Sequence, residues 1–229
     1  AIGITQLAFM LGSGMLHSFY FILLDKGYQV GDLSIVYPLA RGTGPLISTL
    51  VAIVYLGERP SLVALAGALL IGVGVFTLTG NPAKLKEPEA RKPVLFALLC
   101  GTAIASYTIW DKLAVSTYRI PPLIEDWAPN VVRVLLLTPY AVRNWGRVTE
   151  EWQIHKAEAI GVAALCPLSY ILVLTAMAFS PVSYIAPARE SSILIGTVMG
   201  TRLLSEGNVR AKLLGASAIV LGIVALSAG

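Results

Sequence analysis

Two stretches, Ser34-Ile-Val-Tyr-Pro-Leu-Ala-Arg41 and Ser183-Tyr-Ile-Ala-Pro-Ala-Arg-Glu190, carry charge into apolar sequence. In register they set Arg41 opposite Glu190, with Arg189 one residue before the carboxylate. At helical rise Arg41 lies roughly 14 Å beyond Asp32, near the middle of a bilayer core about 30 Å thick. A charge at that depth must face a partner or a water-filled cavity. Two chemistries fit. Arg41, Arg189 and Glu190 can form a polar centre for a carboxylate or phosphate, with Glu190 as a proton-linked switch. Alternatively, Arg41 and Glu190 form a fixed pair pinning two helices while Arg189 snorkels to an interface. Two arginines against one glutamate leave a positive charge unmatched, which favours the first.

Other polar groups extend this set. Tyr37 and Tyr184 flank Pro38 and Pro187 and can donate hydrogen bonds to a ligand; the two prolines each free a carbonyl and suit a hinge or a cavity wall. Ser34, Pro38, Arg41, Pro45 and Ser48 share one helix face, and Ser183, Pro187, Glu190, Thr197 and Thr201 mark the comparable face of the second copy. Tyr107 and Asp111 lie four residues apart beside Trp110, and His17 sits inside the first apolar run. Each has a plainer reading as well. Tyr107 and Trp110 can belong to an interfacial belt, Asp111 can pair with Lys112 at the membrane edge, and His17 can be a hydrogen-bonded structural residue. Glu125, Asp126 and Arg133 read as flanking or cavity-rim charges. No paired-histidine metal motif, Gly-rich phosphate loop or nucleophile elbow occurs, so neither a cofactor nor a catalytic constellation is expected.

The elements holding these residues follow from composition. Of 229 residues 56% are hydrophobic and 13% charged, with a mean hydropathy of +0.75. A soluble domain carries about 25% charge. The shortfall runs along the whole chain, and the basic residues behind a pI near 9.1 cluster between apolar runs. That distribution fits lipid headgroups and excludes nucleic acid as a partner. Cys100 and Cys166 lie in apolar segments without metal or redox spacing and read as small buried hydrophobes. Ala1 opens into apolar sequence without the basic leader of a signal peptide, and no initiator methionine is present.

The expected fold is all-α, a polytopic membrane helical bundle of about eight spans: 5–24, 31–55, 62–79, 93–115, 127–142, 157–178, 182–204 and 209–228. Lipid cannot satisfy open backbone groups, and the runs lack the period-two alternation of barrel strands. Breaks are expected at Asp25-Lys26-Gly27, Gly57-Glu58-Arg59-Pro60, Pro121-Pro122 and Ser180-Pro181. Residues 31–80 align with 180–229 after one gap: Ser34 with Ser183, Pro38 with Pro187, Glu58 with Glu206, then Gly67 with Gly215 and Gly74 with Gly222. Such duplications are common in transporters, which hold substrate where the repeats meet. Five helices lead to the end of the second copy and three to the end of the first. Residues 1–80 are therefore expected to be an incomplete first repeat lacking two helices, 81–92 a linker, and 93–229 a complete second repeat.

At this point the chain resembles the EamA-type branch of the drug/metabolite transporter superfamily. The resemblance rests on Pro38, Gly57-Glu58-Arg59 and Gly67/Gly72/Gly74, with Pro187, Glu206-Gly207 and Gly215/Gly222 as the second copy, and it covers essentially the whole chain. It implies two inverted five-helix repeats and a non-enzymatic secondary transporter moving a small polar metabolite, an amino acid or organic anion, by alternating access. Facilitated diffusion, exchange and coupling to protons all remain open. The competing reading is an integral-membrane enzyme or lipid-processing protein without transport; a third is a non-transporting scaffold. The expected location is multi-pass in a membrane, the bacterial inner membrane. Lys26, Lys84, Lys86, Arg91, Lys92, Arg143, Arg147, Lys156, Arg202, Arg210 and Lys212 fall on one side, against Arg59, Lys112 and Arg119 on the other. The charge rule puts the richer side in the cytoplasm and the C-terminus outside, whereas family analogy puts both termini inside.

Overall fold

A computed structural model describes residues 3–30, 33–79, 91–192 and 209–228. Among them the chain is helical: α1 Ile4–Val30, α2 Leu33–Tyr55, α3 Leu62–Thr79, α4 Arg91–Ser116, α5 Pro122–Arg143, α6 Trp145–Ile154, α7 Lys156–Phe179, α8 Val182–Ala188 and α9 Val209–Ala228. Three helices, α1, α4 and α7, are long and apolar enough to cross a membrane; shorter apolar stretches occupy Leu39–Tyr55, Leu62–Thr77 and Leu214–Leu226. Most of the 81–92 linker, Thr197, Thr201, Glu206 and Gly207 lie outside the described residues, as do the side chains of Ser34, Tyr37 and Pro38.

The helix boundaries correct the sequence reading in four places. α1 runs through Asp25-Lys26-Gly27, where Gln29 Nε2 donates to Asp25 Oδ2 at 2.8 Å one turn apart and bridges the expected break. α5 begins at Pro122 rather than 127, since proline at the first turn forfeits no intrahelical bond. Residues 145–154, which fall between the expected spans 127–142 and 157–178, form α6. The expected helix 182–204 is interrupted: α8 ends at Ala188, and Glu190 N–H donates to the Pro187 carbonyl in a tighter turn. Pro187 lacks an N–H, so the helix before this turn has one intrahelical bond fewer.

The chain forms two compact units. The first comprises Ala1–Ser18 and Trp110–Phe179, the second Phe19–Ile109 and Ser180–Gly229. In the second unit α3 packs along α9 around Ala64, Ala68, Ile71, Val75, Ile219 and Leu226. A Cβ on Gly67 would lie 2.6 Å from the Gly222 carbonyl oxygen, and one on Gly74 2.7 Å from that of Gly215, so the two backbones touch. As α3 rises from 67 to 74, its partner falls from 222 to 215. The helices are antiparallel.

The same unit contains a fastening between distant segments. α2 ends where Gly57 takes φ +69°, a left-handed conformation open to glycine. The following Glu58 then accepts the backbone N–H groups of Val182 (2.7 Å) and Ser183 (2.9 Å), capping the first turn of α8.

The first unit is held differently. Trp110 stacks on Phe9 with ring centroids 4.6 Å apart and donates its indole N–H to the Phe9 carbonyl at 2.8 Å; Gly12 leaves room for the ring. Met10, Ala114, Ile120 and Ala128 form the adjoining core. Cys100 is buried in the second unit, whereas Cys166 is exposed on α7, contrary to its expected burial. α7 points most of its side chains outward, as suits a surface that meets lipid.

Candidate functional site

In the second unit Arg41 and Glu190 form an ion pair, with Nε 3.1 Å from Oε2. Their elements dictate this. Arg41 projects from the middle of α2, which packs on α8, and the turn after Pro187 brings Glu190 into the same place. The Glu190 side chain is 5% exposed and that of Arg41 20%. Arg189, in the same turn, adds a second positive charge that acts on Glu190. The cluster thus carries two guanidinium groups and one carboxylate, and Arg41 stays cationic at any accessible pH.

The space beside the pair is small. A cavity of about 10 Å³, lined by Arg41, Pro45, Ile71, Val75, Pro187 and Glu190, has room for at most one water molecule. Pro45 and Ser48 lie buried on the same face of α2, and the Ser48 hydroxyl donates to the Pro45 carbonyl at 3.0 Å. Tyr184 packs on the α3–α9 core. Tyr107 is 4% exposed and meets Tyr20 edge-on at 5.8 Å, a packed position that does not fit an interfacial belt.

The first unit gathers a second polar group around Asp111. The Tyr170 hydroxyl donates to Asp111 Oδ2, and His17 Nε2 stands 3.8 Å from the same oxygen. His17 Nδ1 lies 3.0 Å from the Ser13 carbonyl. A carbonyl only accepts, so this contact makes Nδ1 the donor and leaves Nε2 as the ring nitrogen that faces Asp111. Asp111 is fully buried, unlike a charge at a membrane edge, and Lys112 donates to the Met177 carbonyl at 2.7 Å.

Glu125 and Asp126 also depart from expectation. Both are buried rather than on a rim. Glu125 closes the first turn of α5, where a helix N-terminus favours negative charge, and Asp126 follows it; both are buried with Ala128 and Pro129. Ser13 and Asp111 act on Glu125, and Arg133 acts on Asp126, with Asn130 between: its amide donates to Asp126 Oδ2 at 3.3 Å and accepts from Arg133 at 3.5 Å. Among the described residues no group of three acidic, histidine or cysteine side chains could hold a metal ion.

Sequence reasoning left out Ser13, Glu58 and Tyr170 as site residues. Ser13 had a signal in its four-residue spacing from His17. Glu58 had one in its match with Glu206, although a repeat marker does not reveal which N–H groups it caps. Tyr170 had none, because an isolated tyrosine in an apolar run declares no partner.

No family model matches this chain, and no curated protein matches it. A solved structure described as "Crystal structure of protein" is similar to it, with a TM-score of 0.73 at 16% identity over 99% of this chain and 79% of that one. At that identity the likeness concerns the fold alone.

Proposed function

We propose that this chain is a multi-pass secondary transporter of a small polar metabolite, an amino acid or organic anion, of the EamA type its motifs resemble. The observation that carries the reading is the buried Arg41–Glu190 pair between two proline-bearing segments of an apolar helical protein. Buried charge among apolar helices is costly, and substrate pathways are a common reason for it. In this mechanism the negative group of the substrate takes the Arg41 guanidinium and competes with Glu190 for it. Glu190, the titratable partner, then exchanges a proton as the two repeats rock.

The inverted-repeat part of the proposal has its own support. In the sequence register Gly67 matches Gly215 and Gly74 matches Gly222, yet Gly67 meets Gly222 and Gly74 meets Gly215. Ile71 Cγ1 crowds Gly222 as Ile219 Cγ1 crowds Gly74. Reciprocal contacts of this kind are the signature of a twofold relation, and antiparallel helices fit an axis in the membrane plane.

The test is uptake and efflux of an amino-acid and organic-acid panel by the protein in proteoliposomes. Arg41→Ala abolishes binding and transport of the substrate found, whereas Glu190→Gln retains binding and flattens the pH profile. Normal transport by Arg41→Ala, or an unchanged pH profile in Glu190→Gln, overturns the assignment. Transport retained after Arg41→Met with Glu190→Leu identifies a fixed structural pair instead.

A further inference from the structure

The first unit carries a helix whose apolar face is exposed among the described residues. In α6, Trp145, Val148 and Trp152 recur at three- and four-residue spacing and line one face, with Arg147 and Glu151 at its edges and Glu150 turned the other way. No residue of α6 is buried; Trp145 is 64% exposed and Trp152 49%. Together with the end of α5 and the start of α7, this helix borders an open groove of about 920 Å³ lined by Tyr140, Trp145, Val148, Trp152, His155 and Ala159.

Several observations identify the occupant. α7 begins at Lys156, directly after His155, and is itself long and apolar enough to cross a membrane. α5 leads into α6 with Val134, Leu135, Leu136, Leu137 and Tyr140 exposed. The groove thus stands at the end of lipid-facing surface, where tryptophan and tyrosine settle at headgroup level. Its lining carries both signs, Arg147 and Glu151, and Lys156 adds a second cation beside it, with Nζ 6.0 Å from the Trp152 ring. That balance complements a headgroup bearing both a phosphate and an ammonium.

We propose that α6 lies in the headgroup plane of the bilayer and that its groove seats a zwitterionic phospholipid. The acyl chain runs along Trp145, Val148 and Trp152, and the headgroup meets Arg147, Lys156 and Glu151. An amphipathic helix held this way sinks its apolar face about 5–10 Å into the headgroup–acyl boundary. The proposal depends on the chain being in a membrane and is independent of what it transports.

Tryptophan quenching tests it. The purified full chain is reconstituted in phosphatidylcholine–phosphatidylethanolamine vesicles whose acyl chains carry bromine near the headgroup or near the terminal methyl. Shallow bromines are expected to quench more than deep ones, and Trp145→Phe with Trp152→Phe to remove about half of the shallow quenching, two of the four tryptophans being lost. Both rings are exposed, so the pair of substitutions leaves the core intact; aqueous iodide quenching of the unaltered protein gives a reading that needs no variant. Equal shallow quenching with and without the two tryptophans overturns the proposal, as does full iodide access to them. Shielding from bromine and iodide alike also overturns it, since a second protein copy then covers the face.

Discussion

In the second unit Gly67 and Gly74 let α3 and α9 approach until backbone meets backbone, whereas in the first unit Trp110, Tyr170 and Lys112 reach across gaps to make hydrogen bonds. Lipid tails are as apolar as leucine, so helices in a membrane gain little from hiding apolar side chains from one another. Small residues that permit close approach and polar side chains that bond across helices are the two remedies. Here each unit leans on one of them. The units should consequently differ in what damages them: added volume in the second, lost polar atoms in the first.

The largest effect is expected where the second unit also uses charge. Glu190→Ala leaves Arg41 buried without its carboxylate and should cost about 3–5 kcal/mol, read by thermal unfolding in detergent. The double change Arg41→Met with Glu190→Leu should restore most of that loss. Gly67→Leu comes next, at about 2–3 kcal/mol, because its new side chain meets the Gly222 carbonyl and the Leu226 amide rather than a movable side-chain end.

Glu58→Ala should follow at about 2 kcal/mol, since two charge-assisted bonds to Val182 and Ser183 are lost. In the first unit Tyr170→Phe removes one hydroxyl from Asp111 and should cost about 1 kcal/mol with no change in packing volume. Gly161→Ala is expected to stabilise by about 0.5–1 kcal/mol, because nothing lies within 4 Å of the added methyl. If Gly161→Ala were as damaging as Gly67→Leu, the contrast between the units would fail.

The sequence revealed the class of the fold through its apolar runs, and it revealed Arg41, Glu190, Asp111 and His17 as charged or polar groups where such groups are rare. It also placed Arg41 opposite Glu190 before any geometry was known. It missed α6, because Arg147, Glu150 and Glu151 lower the hydropathy of the stretch and mask the three- and four-residue spacing of Trp145, Val148 and Trp152. It misjudged Glu125 and Asp126 for a related reason. Beside Pro121-Pro122 two carboxylates look like loop chemistry, and only the direction of the α5 axis turns them inward. The extension of α1 through Gly27 was hidden because glycine reads as punctuation; here it admits Val36, whose Cγ1 would sit 2.9 Å from a Cβ at that position.

The Glu58 cap has a consequence for the order in which the molecule is made. Its two amide partners lie 124 and 125 residues further along the chain. At about 5–20 residues per second, a ribosome delivers Val182 some 6–25 s after Glu58. Throughout that interval the carboxylate has only water, or a temporary neighbour, to accept from. α2 and α3 can form as local helices during synthesis, but the start of α8 is fastened to them late. Any factor that lengthens the wait, such as a pause within 59–181, extends the life of an intermediate in which the Glu58 clasp stands open.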